Sequence, residues 1–314
     1  MQLKKIKIGP LTTPNNVFLA PLAGYTNCVF RQMCFDFGAG LTFTEMVSAK
    51  GLVYDSSATR ELLSVTPEYS GIKAVQLFGG DPYYMRRAAE SREIAPFDLI
   101  DINMGCPVPK IFKNGEGSAL MADIPRAQSI VREVAKAGKP VSVKFRTGLS
   151  GDKLVTRDFA LAMQDAGASL ITVHGRTRDK IYSGPVNFDE IAAAKRTVDI
   201  PVIANGGVFS VADADELIQN TGADGVAVAR AAMYDPFIFC ALARVPVPDK
   251  KQAIRTQLLR TREMFGERFA TVFMRKMIAF YIKGMPSSSA VKQALFMCAS
   301  VEEVEGILSG INFN

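Results

Sequence analysis

One short stretch combines the residue types expected at a catalytic turn. An apolar run at 97–100 leads into Asp-Ile-Asn-Met-Gly-Cys-Pro at 101–107. This pattern is typical of a buried strand that delivers a thiol, Cys106, to the edge of a sheet. Gly105 lets the backbone approach a ligand closely, and Pro107 prevents the strand from continuing. The alternative is a structural cysteine buried in a turn.

Other polar residues occupy equivalent positions at the ends of apolar runs. Lys144 and Arg146 end one run, and His174, the only histidine, ends the next, before Gly-Arg-Thr-Arg. The carboxyl ends of strands in parallel α/β proteins are where chemistry takes place. There, a cation and a hydrogen-bond donor can stabilise negative charge on an aromatic cofactor ring, such as that of a reduced flavin. A lone histidine is otherwise often structural.

Two later turns have the composition of a phosphate site. Asn205-Gly206-Gly207 offers unhindered backbone N–H groups, and Ala229-Arg230 places a guanidinium at a predicted helix start. TIM barrels often bind phosphate after their seventh and eighth strands. A Gly-Gly turn is weak evidence alone, but its combination with Arg230 favours an anion site.

The elements that must position these residues are eight strand-like runs with helical patterns between them. The predicted strands are 17–20, 41–45, 74–78, 99–103, 141–146, 170–174, 202–205 and 225–229. The predicted helices are 26–37, 82–93, 125–137, 156–166, 188–197 and 211–220. Eight such units close a TIM barrel, and the runs are apolar on both faces, as barrel strands should be.

The pattern changes after the eighth strand. A final barrel helix is predicted over 230–243, followed by a Pro-containing linker at 245–249. From residue 250 only helical patterns occur, at 252–265, 271–282, 289–298 and 301–308. Ser300 and Glu303 form a capping box at the start of the last one. The sequence therefore predicts an α/β chain with a TIM barrel at 1–243 and a small helical bundle at 244–314.

Composition limits the class of protein. The chain has 314 residues, of which 48% are hydrophobic and 22% charged, as in an ordinary globular protein. No apolar run approaches a membrane span, and the first residues lack an apolar signal core. The five cysteines include no Cys-x-x-Cys pair, which disfavours disulfides and a zinc ribbon. We expect a cytoplasmic protein without a metal site or membrane contact.

The positive charge is concentrated near the carboxyl terminus. Residues 240–300 contain eleven Lys and Arg against three acidic residues, a net charge of +8, whereas the whole chain carries +6. The rest of the chain therefore carries −2. A near-neutral body with a basic module suggests a polyanionic partner, usually a nucleic acid. The alternative is a well-solvated helical surface.

Six segments together give the sequence a family resemblance. They are Ala-Pro-Leu-Ala-Gly-Tyr-Thr-Asn (20–27), Asn-Met-Gly-Cys-Pro (103–107), Lys-Phe-Arg-Thr-Gly (144–148), Val-His-Gly-Arg-Thr-Arg (173–178), Ala-Asn-Gly-Gly (204–207) and Met-Arg-Lys-Met-Ile-Ala-Phe-Tyr-Ile-Lys-Gly (274–284). The sequence resembles the tRNA-dihydrouridine synthases over nearly its whole length. The resemblance implies a tightly bound FMN in the barrel, a helical tRNA-binding domain, and NADPH-dependent reduction of uridine in tRNA.

The resemblance also implies roles for particular residues. The expected FMN ligands are Ala20, Pro21, Leu22, Gln76, Lys144, His174, Asn205, Gly206, Gly207, Ala229 and Arg230. Asn103 and Arg178 would face the flipped uracil, and Cys106 would be the catalytic acid. Further RNA contacts are expected from Lys110, Arg275, Lys276 and Lys283.

The sequence departs from the family pattern at several positions. Leu22, Gly207 and Ala229 stand where members commonly have Met, Asp and Gly. These changes are compatible with cofactor contacts made through the backbone. Members also commonly have His and Trp near Met277 and Phe280, where this sequence has neither.

The chemistry fits the same assignment. Reduction of the uracil C5=C6 bond needs a hydride at C6, delivered from flavin N5, and a proton at C5. A thiol with a pKa of about 8.5 is mostly protonated at neutral pH, so Cys106 suits the acid role better than the nucleophile role. The target base must be flipped out of the folded tRNA. Because no Gly-x-Gly-x-x-Gly motif is present, we expect NADPH and tRNA to visit the flavin in turn.

Two other functions remain open at this point. An FMN barrel acting on free pyrimidines or orotate would explain Cys106 but not the basic bundle. A non-catalytic RNA-binding protein on a barrel scaffold would explain the bundle but not the thiol. A zinc deaminase is excluded because one histidine and no Cys-x-x-Cys cannot supply its metal site. The segment 108–120 is a candidate lid, and a monomer is the default expectation.

Overall fold

The computed structural model describes residues 1–313 and is built around a closed barrel of eight parallel strands. A short antiparallel hairpin precedes the barrel. The strands are β1 (Lys7–Ile8) and β2 (Leu11–Thr12) in the hairpin, then β3 (Val17–Leu19), β4 (Leu41–Ser48), β5 (Lys73–Phe78), β6 (Leu99–Met104), β7 (Val141–Arg146), β8 (Leu170–His174), β9 (Val202–Asn205) and β10 (Gly225–Val228). The predicted TIM barrel is confirmed, with β10 pairing to β3 to close it.

Helices surround the barrel and connect its strands. They are α1 (Cys28–Asp36), α2 (Ala49–Val53), α3 (Ser57–Glu61), α4 (Pro82–Ala89), α5 (Pro109–Lys113), α6 (Ile124–Ala135), α7 (Thr156–Asp165), α8 (Phe188–Thr197), α9 (Val211–Thr221), α10 (Arg230–Tyr234) and α11 (Ile238–Ala243), with a 3-10 helix at Gly117–Ala122. Asp81 caps α4 by accepting a hydrogen bond from the Tyr83 N–H. Ser210 caps α9 in the same way, through the N–H of Asp213.

The pleat of β6 decides which of its side chains point into the barrel. Leu99 packs in the inner apolar cluster, whereas Ile100 packs in the cluster between strands and helices. Successive side chains of a strand alternate between faces, so Asp101 and Asn103 share the inward face of Leu99. Ile8 of the hairpin joins the same inner cluster and covers the amino-terminal end of the barrel.

Four helices follow the barrel: α12 (Lys250–Phe265), α13 (Glu267–Tyr281), α14 (Ser288–Met297) and α15 (Val301–Ser309). α12 packs against α13 and α15 and also contacts α1 of the barrel, while α13 contacts α10. Their shared core includes Ile254, Leu258 and Val304, all fully buried. Ser300 caps α15 as predicted, through the N–H of Glu303. The Glu303 carboxylate binds the Ala299 N–H, one residue before the capping position.

The predicted helix 230–243 is wrong as a single element. It is divided into α10 and α11 at Asp235, which has extended backbone angles (φ −149°, ψ 93°). The cause is Pro236, because a proline disfavours helical geometry in the residue before it and cannot donate its own backbone hydrogen bond. The sequence patterns also missed the hairpin and the short helices α2, α3 and α5. No helix within residues 1–313 is long and apolar enough to cross a membrane.

Candidate active site

A cavity of about 750 Å³ lies at the carboxyl ends of the barrel strands. Its lining includes Cys106, Asn103 and every predicted cofactor residue except Gln76. The predicted cofactor residues in the lining are Ala20, Pro21, Leu22, Lys144, His174, Asn205, Gly206, Gly207, Ala229 and Arg230. The barrel thus brings together residues that are up to 210 positions apart in sequence. This is the face at which TIM-barrel enzymes bind their substrates.

Cys106 is held in the cavity wall by its backbone. The side-chain oxygen of Asn103 accepts hydrogen bonds from the N–H groups of Gly105 (3.2 Å) and Cys106 (2.9 Å). The carbonyl of Cys106 accepts one from the Ser118 hydroxyl at 2.7 Å. The residue is only 8% exposed. Burial raises the pKa of the Cys106 thiol above its usual value, against the opposing effects of a backbone N–H, Arg146 and Lys144, so the thiol is protonated at neutral pH.

A buried chain of side chains fixes the orientation of Asn103. Its Nδ2 donates to Gln76 Oε1 (2.9 Å), and Gln76 Nε2 donates to Asp101 (2.6 Å). Ser142 donates to the other oxygen of Asp101 at 2.6 Å. Because Asp101 only accepts, it fixes which end of the Gln76 amide faces Asn103. The structure places Gln76 behind Asn103 and outside the cavity lining, so its cofactor contact remains a prediction.

The polar side chains of the cavity are cationic or neutral. Lys144, Arg146 and Arg230 line it, and among its lining residues within 1–313 there is no Asp or Glu. Burial, reinforced by Arg146, lowers the pKa of Lys144 to about 8. Burial lowers the pKa of Arg146 to about 10. Both side chains are therefore charged at neutral pH, and the cavity favours an anionic ligand.

His174 is neutral in this environment. Its side chain is buried, and burial lowers its pKa well below the usual value, with Lys144, Arg146 and Arg176 acting in the same direction. A neutral imidazole presents one donor and one acceptor nitrogen. His174 can therefore hydrogen-bond to a ligand without adding charge.

The turn after β9 has the geometry expected of a phosphate site. Gly206 and Gly207 have positive φ angles of 115° and 79°, which favour glycine. A Cβ atom at residue 206 would lie 2.9 Å from His174 Cδ2 and 3.2 Å from Arg176 Nη1. That Nη1 is buried and has no hydrogen-bond partner among residues 1–313. The accessible backbone of Gly206 therefore lies beside a guanidinium nitrogen of Arg176 that still lacks a hydrogen-bond partner within residues 1–313.

Arg230 and Asn205 complete this end of the cavity. The Arg230 guanidinium lies 4.7 Å from the ring centroid of Tyr182 and 5.6 Å from that of Phe209. Its helix, α10, has only five residues, so the side chain rather than the helix dipole supplies the positive charge. Asn205 Nδ2 is already bound to the Ala227 carbonyl at 2.7 Å, which leaves its oxygen for a ligand.

Two predicted RNA contacts near the barrel lie outside the cavity lining. The Arg178 guanidinium stacks on Phe112 of α5, 3.7 Å from the ring centroid. Lys110 is exposed on the same helix. Since α5 follows Cys106 directly, Arg178 ties the segment 108–120 to the loop after β8. That segment contains α5 and the 3-10 helix, and its lid role remains a prediction.

The predicted contacts in the helical bundle have different partners. Arg275 Nη1 donates to the carbonyls of Phe296 (2.9 Å) and Cys298 (2.7 Å) at the end of α14. Lys276 donates to the Gly24 carbonyl at 2.7 Å, which connects α13 to the loop after β3. Lys283 is exposed, and its ammonium lies 4.5 Å from the Tyr234 ring centroid.

Sequence reasoning missed several aromatic and cationic residues of the cavity. Tyr25, Tyr182 and Phe209 line it, and none has a strand-end position that would have marked it. Arg146 was noted at a strand end but given no role; its Nε donates to the Gly105 carbonyl (2.8 Å) and its Nη1 to the Ile181 carbonyl (2.8 Å). It therefore joins the Cys106 turn to the loop that carries Tyr182.

The fold and the cavity define a class: a TIM barrel whose cavity at the carboxyl ends of the strands is lined by cationic side chains and by a buried, protonated thiol. Comparisons with known proteins agree. The family model described as "Dihydrouridine synthase (Dus)" matches residues 18–312. The chain is 35% identical to tRNA-dihydrouridine synthase B of Shewanella oneidensis, over 88% of this chain and 89% of that protein. It is 34% identical to the protein of the same name from Pseudomonas aeruginosa, over 95% of each.

The chain therefore belongs to the dihydrouridine synthase family, and the sequence-based prediction of a flavin-dependent tRNA-dihydrouridine synthase is confirmed. Solved structures agree on the fold. Histamine dehydrogenase from Rhizobium sp. 4-9 superposes with a TM-score of 0.59 at 14% identity, covering 87% of this chain and 50% of that one. A variant of NCR from Zymomonas mobilis gives 0.56 at 17% identity, covering 83% and 96%.

Proposed function

We propose that this protein reduces the C5=C6 bond of specific uridines in tRNA, with bound FMN as cofactor and NADPH as reductant. One observation carries the proposal. The buried, protonated thiol of Cys106 lines the same cavity as Lys144 and His174, and none of the cavity's lining residues within 1–313 is acidic. Such a cavity can stabilise an anionic flavin and can supply an acid that protonates a carbon atom of the substrate.

The residues present fit FMN. Gly206, Gly207 and Arg230, with the unsatisfied Nη1 of Arg176, would hold the phosphate. Lys144 and His174 would bind the polar edge of the isoalloxazine ring, and 20–22 would pack along it through backbone and apolar atoms. When bound, FMN supplies the hydride that reaches C6 of the uracil.

The chain's own groups then complete the reaction. The Cys106 thiol would give its proton to C5, and its raised pKa keeps that proton available at neutral pH. One Nδ2 hydrogen of Asn103 is used by Gln76, so the second can donate to a uracil carbonyl. Asn103 would thus hold both the substrate and the turn that carries the acid.

The helical bundle at 244–314 would bind the tRNA as a separate domain. Lys283 is exposed there, and Arg178 and Lys110 would add contacts beside the cavity. Lys276 and Arg275 bind carbonyl groups of the protein with their side chains, which supports a role in shaping the RNA surface, and we propose that they also contact the RNA. We propose that NADPH and tRNA use the cavity in turn, in a cytoplasmic monomer.

The test is to incubate the purified protein with NADPH and unmodified tRNA and to map dihydrouridine by position. We expect a yellow protein that forms dihydrouridine at defined positions and leaves free uridine and orotate unchanged. A yellow protein that oxidises NADPH and reduces free pyrimidines, but not tRNA, would overturn the substrate assignment. A colourless protein that binds tRNA would overturn the enzyme assignment.

A further inference from the structure

A second cavity, of about 550 Å³, lies between the helical bundle and the loop after β3. Lys276 separates it from the first cavity: its ammonium donates to the Gly24 carbonyl and lies 4.2 Å from the Tyr25 ring centroid. Gly24 lines the second cavity, and Tyr25 lines the first. The two cavities therefore open on either side of one short loop.

Aromatic side chains form one wall of the second cavity. Phe269 and Phe273 of α13 have their rings 5.6 Å apart and nearly parallel, at 13°. Phe269 is 43% exposed, and Phe296 of α14, also in the lining, is 56% exposed. Phe273 is buried and supports the ring of Phe269 from behind. Exposed aromatic rings beside cations, such as those of Phe269 and Phe296, are surfaces on which unstacked nucleic-acid bases bind.

Two polar atoms of the lining residues, one on Asn27 before α1 and one on Arg275 of α13 itself, have no hydrogen-bond partner among residues 1–313. Asn27 is 8% exposed, and its Oδ1 caps α1 through the Phe30 N–H, but its Nδ2 has no hydrogen-bond partner among residues 1–313. The Nε of Arg275 is likewise buried and unpaired within this described part of the chain. Buried donors without partners are costly, so these two mark a place where a ligand would complete the hydrogen bonding.

An acceptor lies in the same cavity. Glu45 lines the cavity, and one of its carboxylate oxygens accepts the Gly24 N–H. Glu61 and Lys276 also line the cavity. The donors of Asn27 and Arg275 and the carboxylate of Glu45, beside aromatic rings, match guanine, which presents acceptors at O6 and N7 and adjacent donors at N1 and N2.

We propose that this second cavity binds an unpaired guanine of the same RNA whose uridine enters the first cavity. The proposal rests on the proposed function for its choice of RNA. Phe269 and Phe296 would stack on the base, Asn27 and Arg275 would donate to O6 and N7, and Glu45 would accept from N1 and N2. Binding of a second base would fix the position of the tRNA relative to the flavin and so determine which uridine is reduced.

The experiment measures tRNA binding by the FMN-loaded protein with three variants: Phe269→Ala, Phe296→Ala and Asn27→Asp. Asn27→Asp keeps the oxygen that caps α1 but removes the donor, so it tests the cavity without removing the cap. Met297→Ala is the matched control, since Met297 follows Phe296, is 84% exposed and is not in the lining. We expect each test variant to weaken tRNA binding by about 10-fold. Met297→Ala should leave binding unchanged, and bound flavin and NADPH oxidation should be unchanged in every variant.

Ultraviolet cross-linking of the wild-type complex, followed by sequencing of the RNA, identifies the base in the cavity. An unpaired guanosine attached to Phe269 or Phe296 supports the proposal. The proposal would be overturned if all three variants bound tRNA as tightly as wild type. It would also be overturned if the wild-type protein were a dimer that Phe269→Ala dissociates without changing tRNA affinity. If wild-type protein binds tRNA but forms no dihydrouridine, the proposed function fails, while the binding data still decide this inference.

Discussion

The side chain of Asn103 holds the backbone of Cys106, with Oδ1 accepting the Cys106 N–H at 2.9 Å. The same side chain uses one Nδ2 hydrogen on Gln76. The thiol's position is therefore determined from inside the barrel, through a chain that ends at Asp101 and Ser142. Rigid placement matters because a misplacement of about 1 Å can cost about 100-fold in rate.

Gln76→Met tests whether Gln76 acts on the cofactor or through Asn103. We expect bound FMN per protein to remain at the wild-type level, while dihydrouridine formation falls by about 10-fold as Asn103 loses its anchor. The measurements are flavin absorbance of the purified protein and initial rates with tRNA. A large loss of flavin would instead support the direct cofactor contact predicted from sequence.

Asp101 makes stability depend on pH in a direction unusual for a carboxyl group. Burial raises the pKa of Asp101 from 3.8 to about 6. Between these values the unfolded chain releases the proton first, so this group's contribution to folding stability falls as pH rises from about 4 to about 6. The cost at pH 7 is on the order of 3 kcal/mol. The hydrogen bonds from Gln76 and Ser142 to the carboxylate oppose this rise but do not cancel it.

Asp101→Asn should remove this dependence. The free energy of unfolding of the variant minus that of wild type should increase from pH 4 to pH 7, by up to about 3 kcal/mol, because only wild type loses stability over this range. Urea unfolding at both pH values measures it. A difference between variant and wild type that stays constant with pH would contradict a raised pKa at this site.

Gly206→Ala should impair FMN binding. The new Cβ would lie 2.9 Å from His174 Cδ2, at a φ angle of 115° that side chains rarely adopt. We expect at least about a 10-fold weaker FMN affinity, measured by titrating the flavin-free protein and following flavin fluorescence. Gly151→Ala is the control, because that Cβ would meet no atom within 4 Å; equal loss in both variants would count against the phosphate site.

Lys283→Ala should weaken tRNA binding through charge alone. Lys283 is exposed on the bundle, so its loss should lower affinity uniformly across tRNAs and reduce the slope of log affinity against log salt by about 1. The control is Lys7→Ala, an exposed cation on the hairpin at the opposite end of the barrel. If the two variants have the same salt dependence, the bundle is not the RNA surface at that point.

The strands were predictable because their apolar runs are continuous and end at polar or glycine residues. All eight are present, and those at Val141–Arg146, Leu170–His174 and Val202–Asn205 have the predicted bounds. The break at Asp235 was also visible in the sequence, since Pro236 follows it, but the helical pattern on either side obscured it.

The partners of the polar side chains were not predictable, because they depend on strand pairing and domain contacts. Gln76 lies beside Asp101 only because β5 and β6 pair in that register. Arg275 and Lys276 were predicted to touch RNA, but the carbonyl groups of α14 and of the loop after β3 that their side chains bind could not be predicted from the sequence. Met277 lies near positions at which family members commonly have His and Trp. It is fully buried in this chain.

The central claim is that Cys106 delivers a proton to uridine bound in this cavity. The most direct measurement is a single turnover of the prereduced protein with unmodified tRNA, comparing wild type with Cys106→Ala. We predict dihydrouridine at defined positions for wild type, and a rate about 100- to 10,000-fold lower for the variant. FMN content and the rate of reduction by NADPH should be equal in both. Equal rates of dihydrouridine formation would contradict the role of Cys106.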